Sequence, residues 1–146
     1  MTQVYFEDVS MGDEIGPMIK NPTREQLDTF MKVWGGGPSR FTSEEVARSE
    51  GFTGVIIPGH MSMALLTQLL TSWKGSAGRL KSMEVNFRRY LQPGDTLACK
   101  GVITDTETVD GENRVTLDVY IENQKGERAQ QGTAVVILPS KSNPSS

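Results

Sequence analysis

Acid–base chemistry near neutral pH favours histidine, whose unperturbed pKa lies closest to that range. This chain has one histidine, His60. It stands in Ile56-Ile57-Pro58-Gly59-His60-Met61-Ser62, where a loop gives way to an apolar helix. The positive end of the helix dipole disfavours imidazolium there, so a neutral, proton-accepting ring is expected. The plainer alternative is a ring that packs at the helix start with one hydrogen bond. Glu44, Glu45 and Glu50 could partner it, or could serve only as first-turn and surface carboxylates of a short helix. Arg40, in a loop, and the cluster Arg79, Lys81, Arg88 and Arg89 could hold phosphate or a carbonyl oxygen. Strand alternation would place Arg88 and Arg89 on opposite faces, so one of them at most would reach a given site. Gly35-Gly36-Gly37 lacks the Lys-Ser/Thr ending of a nucleotide loop and reads as flexible chain.

The elements that must position these residues change period midway. Thr23-Arg24-Glu25-Gln26 reads as a capping box opening a helix. Leu27, Phe30, Met31 and Trp34 form one stripe along that helix, and Gly35-Gly36-Gly37-Pro38 ends it. A second box, Thr42-Ser43-Glu44-Glu45, opens a short helix that stops at Gly51. The third helix runs from near Gly59 to Trp73 and is apolar on nearly every side, which predicts complete burial. Beyond it the period falls to two, with strands expected at 80–91, 96–108, 114–123 and 129–138. Val115, Leu117, Val119 and Ile121 alternate cleanly with polar neighbours. Short turns between consecutive strands predict an antiparallel meander. The expected class is α+β, a single hot-dog domain over residues 1–138 with the sheet wrapped around a central apolar helix. Residues 139–146, polar and rich in Pro and Ser, are expected to form a loose tail.

Composition narrows the function classes. The chain has 146 residues and a net charge of −3, which does not point to nucleic acid or an anionic membrane as partner. With one cysteine, Cys99, and one histidine, a zinc or other metal site is not expected. No apolar run approaches the ~20 residues that span a bilayer. The opening Met1-Thr2-Gln3-Val4-Tyr5-Phe6-Glu7 lacks a basic start and apolar run, so a cytoplasmic location is expected.

Four stretches together resemble the MaoC-like dehydratases, the (R)-specific enoyl-CoA hydratase family. Ala47-Arg48-Ser49-Glu50-Gly51-Phe52 is similar to the family's A-R-x-x-G-F run. Ile56-Ile57-Pro58-Gly59-His60-Met61 falls on its I-x-x-G-M helix start. Asn86-Phe87-Arg88-Arg89-Tyr90-Leu91-Gln92-Pro93-Gly94-Asp95-Thr96-Leu97 matches its F-x-x-P-V-x-P-G-D-T-L strand and turn. Tyr5-Phe6-Glu7-Asp8-Val9 with Gly12-Asp13 is a common opening in these proteins. Pro-Gly-Asp-Thr-Leu alone is unspecific; the four stretches in this order carry the resemblance.

The resemblance implies a coenzyme A thioester as substrate or ligand, with no separate cofactor. It also implies side-by-side pairing of hot-dog domains, as a homodimer or with a second hot-dog subunit. The family's catalytic Asp and His come from G-D-x-N-P-x-H, just upstream of A-R-x-x-G-F. Counting back from Gly51-Phe52 puts them at Gly36 and Phe41, and a one-residue shift gives Gly35 and Arg40. None of these alternatives restores the pair. The thioester-oxygen contact would fall on Gly59, His60 and Met61, and the CoA phosphates on Arg40, Lys81, Arg88 and Arg89. Three readings follow. The chain is a dyad-less subunit of a heteromeric hydratase, an active homodimeric 2-enoyl-CoA hydratase using His60, or a non-catalytic acyl-thioester binding protein. A thioesterase is a weaker fourth, since no well-placed carboxylate is evident.

Overall fold

A computed structural model describes residues 3–142. After a 3₁₀ turn at Phe6–Asp8 the elements are β1 (Glu14–Lys20), α1 (Arg24–Trp34), α2 (Glu44–Ser49) and α3 (Gly59–Lys74). Then come β2 (Arg79–Phe87), β3 (Leu97–Val109), β4 (Glu112–Glu122) and β5 (Arg128–Ile137). The strands form one antiparallel sheet in the order β1-β3-β4-β5-β2, and α3 packs on it.

The expected hot-dog architecture is present, and local rules account for much of it. Thr23 accepts from the Gln26 N–H while Gln26 Oε1 accepts from the Thr23 N–H, so both halves of the first capping box form. In the second box the cap is Ser43 rather than Thr42: Ser43 accepts from the Val46 N–H at 3.2 Å, while Thr42 Oγ1 accepts from the Ser39 N–H at 2.9 Å. Val115, Leu117, Val119 and Ile121 are all fully buried, as their alternation requires. They face Leu66, Leu69 and Leu70 of α3, with Leu97 and Cys99 of β3 completing the core.

Four expectations need correction. The meander holds only for β3-β4-β5, because β2 pairs with β5 instead of β3. Residues 88–96 are a crossing segment, tied down where Ile57 N–H donates to the Leu91 carbonyl at 2.7 Å and Gly94 N–H to the Pro22 carbonyl at 2.9 Å. Second, β1 has no counterpart in the expected strands. Its Gly16-Pro17 pair masks the alternation, and a bulge between Ile15 and Met18 accommodates it on a sheet edge. Third, α3 is not buried all round: Ser62, Leu66, Leu69 and Leu70 are buried, whereas His60, Ala64, Gln68, Thr71 and Ser72 are exposed in the single chain. Fourth, Arg88 and Arg89 do not alternate. Both N–H groups donate to the one carbonyl of Ala129, at 2.8 and 3.0 Å, which breaks the strand's period just after Phe87.

Of the segment expected to be a tail, residues 139–142 dock on the 3₁₀ turn. Phe6 N–H donates to the Pro139 carbonyl, Ser140 and the Lys141 N–H bind the Glu7 carboxylate, and Lys141 pairs with Asp8 at 2.7 Å. Residues 143–146 lie outside the described residues.

Glu112, at the start of β4, holds Arg79 and Lys81 of β2 and its own neighbour Arg114, at 2.7 to 2.9 Å. Hydrogen bonds from Lys81, then Arg114 and Arg79, pull its carboxyl from 4.5 down to about 2. A depressed folded-state pKa contributes stability above the unfolded value, lost as pH falls through the folded one. The melting-temperature gap between wild type and Glu112→Gln is therefore expected to be open near neutral pH. It should close as pH falls from about 4.5 to about 2. A gap that stays constant over that interval would contradict this role.

Candidate active site: a groove at the start of α3

The chain enters α3 through four buried residues, Val55, Ile56, Ile57 and Pro58. Their extended backbone is pinned on both sides: Ile56 N–H donates to the Arg40 carbonyl at 3.1 Å, and Ile57 N–H to Leu91. The Pro58 carbonyl accepts from the N–H groups of both Met61 and Ser62, at 3.1 and 3.3 Å. The N–H groups of Gly59 and His60 have no acceptor among the described residues. Two backbone donors at the positive end of a helix are thus available to an oxygen carrying negative charge.

Beside this turn lies an open groove of about 840 Å³. Phe41, Ile57, Gly59 and Phe87 form its apolar wall, Gln130 is part of its lining, and Arg40, Arg88, Arg89 and Lys125 are its cations. Gly59 is essential to this packing. A Cβ there would lie 2.8 Å from Cζ of Phe87, so only glycine admits the ring against the helix start.

The structure brings some of the expected residues together and separates others. Gly59, Arg40, Arg88 and Arg89 line one groove. Met61 lines a second cleft, between α1 and α3, with Phe30 and Leu65. Lys81 is held by Glu112 six residues before Phe87 along β2, roughly 20 Å away at strand spacing, and belongs to the other end of the sheet. Of the two positions to which counting assigned the acid–base pair, Phe41 lines the groove, while Gly36 lies in a separate cleft with Arg24, Asp28 and Thr42.

His60 is exposed and lies outside the groove lining. Its ring stacks on Trp34, with centroids 4.8 Å apart at 26°. The carboxylates considered as its partners do not reach it. Glu44 binds Arg24 at 2.9 Å and the Val55 N–H, and Glu50 binds Arg40 at 2.8 Å. The groove's own carboxylates are also occupied: Asp95 accepts from the Gln92 N–H and from Gln124, and Glu127 from Asn123. The Asn123 hydrogen bond, assisted by Arg89 and Lys125, holds Glu127 below the ordinary carboxylate range. Buried Cys99 has its thiol pushed up to about 11 by burial, which removes it as a nucleophile.

Among the cations, Arg40 and Arg89 are paired with Glu50 and Glu127, at 2.8 and 3.4 Å. Arg88 and Lys125 have no ion pair among the described residues, so no neighbouring carboxylate neutralises their charge. Two groove residues escape sequence reasoning. Lys125 reads only as part of a turn. Gln130 carries a usable signal, since it shares strand parity with the buried Ala134 and Val136, so a polar side chain faces the core. No group of three or more His, Cys, Asp or Glu that could hold a metal occurs among the described residues, and no described helix is long and apolar enough to cross a membrane.

The MaoC-like domain family matches residues 41–124, more than half of the chain. The R-hydratase PhaJ1 of Pseudomonas aeruginosa, 21% identical, superposes with a TM-score of 0.82 over 95% of this chain and 88% of that one. A chain of the ChsH1-ChsH2 complex of Mycobacterium tuberculosis, 16% identical, gives 0.76 over 88% of this chain and 98% of that one. A chain of the HadBC (3R-hydroxyacyl-ACP dehydratase) complex of the same organism, 18% identical, gives 0.72 over 87% and 96%. At these identities the superpositions establish the fold. No curated protein matches the sequence.

Proposed function

Since the chain belongs to the MaoC-like domain family, we propose that it is the thioester-holding, dyad-less subunit of a heteromeric enoyl-CoA hydratase or dehydratase. Hydration of a 2-enoyl thioester has three needs. A base takes a proton from water as its oxygen bonds to C3, an acid delivers a proton to C2, and donors stabilise the thioester oxygen while it is enolate-like. The Gly59 and His60 N–H groups suit the third need, and Arg88 and Lys125 suit the phosphates of coenzyme A. For the first two needs, no His, Asp or Glu of the groove lining is free among the described residues. Phe41 cannot move a proton, Asp95 and Glu127 are engaged, and His60 stacks on Trp34 outside the groove.

The observation that supports this reading is a groove with two unpaired cations beside the free N–H groups of α3, and no His, Asp or Glu of its lining free of hydrogen-bond partners. Absence of a positioned acid or base typically costs ~10²–10⁴-fold in rate, so a partner with an intact pair is the economical source. Phe87 and Tyr90 border the groove with about half of each side chain exposed, apolar surface that a second hot-dog domain would cover. Two structural relatives are drawn from two-component complexes.

Co-expression with a family member carrying G-D-x-N-P-x-H tests the proposal. A stable heteromer that hydrates a 2-enoyl-CoA is the expected result. A homodimer indifferent to such a partner would count against it.

A further inference from the structure

Gln130 lies on β5 directly opposite Phe87 of β2, so the two side chains share the sheet face that meets α3. Only 3% of Gln130 is exposed. Its Nε2 donates to Ser62 Oγ, and Ser62 Oγ donates to the Gly59 carbonyl at 3.0 Å. A hydroxyl has one proton to give. With the Ser62 proton on Gly59, Ser62 accepts from Gln130, and in this arrangement Nε2 faces Ser62. Gln130 Oε1 is left buried without a hydrogen-bond partner among the described residues.

Buried acceptors without partners are rare and costly. An apolar residue of similar size would avoid the cost, so the amide is most simply explained by a ligand. The side chain lines the groove and is linked through Ser62 to the first turn of α3, where the two free N–H groups lie. The groove lining thus holds Gln130, with its orphan acceptor, together with Gly59 at the start of α3. The donor that Oε1 receives is neutral, because Arg88 and Lys125 on the same groove repel a cation.

On the reading of the groove as a thioester site, we propose that Gln130 is a specificity-determining residue whose Oε1 accepts a hydrogen bond from the C3 hydroxyl of a 3-hydroxyacyl thioester. Ser62 is its positioning residue. In hydration the C3 hydroxyl oxygen comes from water, so the same acceptor orients that water without removing its proton.

Titration calorimetry of the full chain with 3-hydroxybutyryl-CoA and butyryl-CoA tests this. Wild type should bind the hydroxy ester about tenfold tighter, as expected for one buried hydrogen bond made or missed. Gln130→Met should erase that preference by weakening the hydroxy ester more than butyryl-CoA, with a melting temperature no lower than that of wild type. Ser62→Ala, which frees the amide to turn, should reduce the preference. Equal affinity of wild type for the two esters overturns the inference and spares the thioester reading. So does a preference that survives Gln130→Met, an equal loss on both esters in that variant, or, should it not fold, a preference untouched by Ser62→Ala. If neither ester binds wild type, the thioester reading itself fails.

Discussion

Replacing Gly132 by valine is expected to destabilise the protein by about 4 kcal/mol or more, the range reached when a side chain has nowhere to go. Gly132 of β5 lies between Val119 of β4 and Val85 of β2. A Cβ there would overlap the Glu84 carbonyl oxygen and come within 2.8 Å of the Val85 Cα. Both are backbone atoms in a paired ladder, and rotamer changes cannot move them. Relief requires β2 to separate from β5, which removes Phe87 and Arg88 from the groove as well. Urea unfolding of Gly132→Val measures the effect; a change under about 1 kcal/mol, the size of an ordinary surface substitution, would refute the account.

Gly59→Val is expected to act in the opposite sense, sparing stability and removing binding. Its Cβ would also be crowded, at 2.8 Å, but by the far end of the Phe87 ring. That ring is 53% exposed and can swing outward. Stability should therefore change by less than about 1 kcal/mol. The displaced ring and the new methyl groups would then cover the free N–H groups of α3. Acyl-CoA affinity should fall at least about tenfold, the consequence of losing a carbonyl hydrogen bond and its space. Calorimetry with butyryl-CoA distinguishes the outcomes. Unchanged affinity would place the thioester elsewhere.

The contrast between these glycines shows what a sequence can and cannot disclose. Features governed by near neighbours are legible: the Thr23–Gln26 cap, the extent of α3 and the alternation from Val115 to Ile121. Features set by distant pairing are hidden. Nothing local to residues 79–87 says that the strand joins β5 across the sheet, and nothing near Gly132 tells that Glu84 presses on it. β1 was masked by Gly16-Pro17, which only an edge strand with a bulge tolerates. Of the groove lining, Gly59, Arg40, Arg88 and Arg89 can be named from the sequence. The bulge at Ala129 that turns both arginines toward one groove cannot. His60 is the one histidine, yet its ring stacks on Trp34. Lys81 lies near the other cations in sequence, while Glu112, 31 residues further on, holds it in space.

The central claim is that this chain holds a thioester and leaves proton transfer to a partner. Its most direct test is the steady-state hydration of a 2-enoyl-CoA by the chain alone, by a dyad-bearing family member alone, and by the two together. The account predicts no turnover by this chain alone and turnover by the pair. It further predicts that substituting the partner's Asp or His abolishes that turnover, while His60→Ala in this chain leaves it unchanged. Hydration by the purified chain alone, lost in His60→Ala, would contradict it.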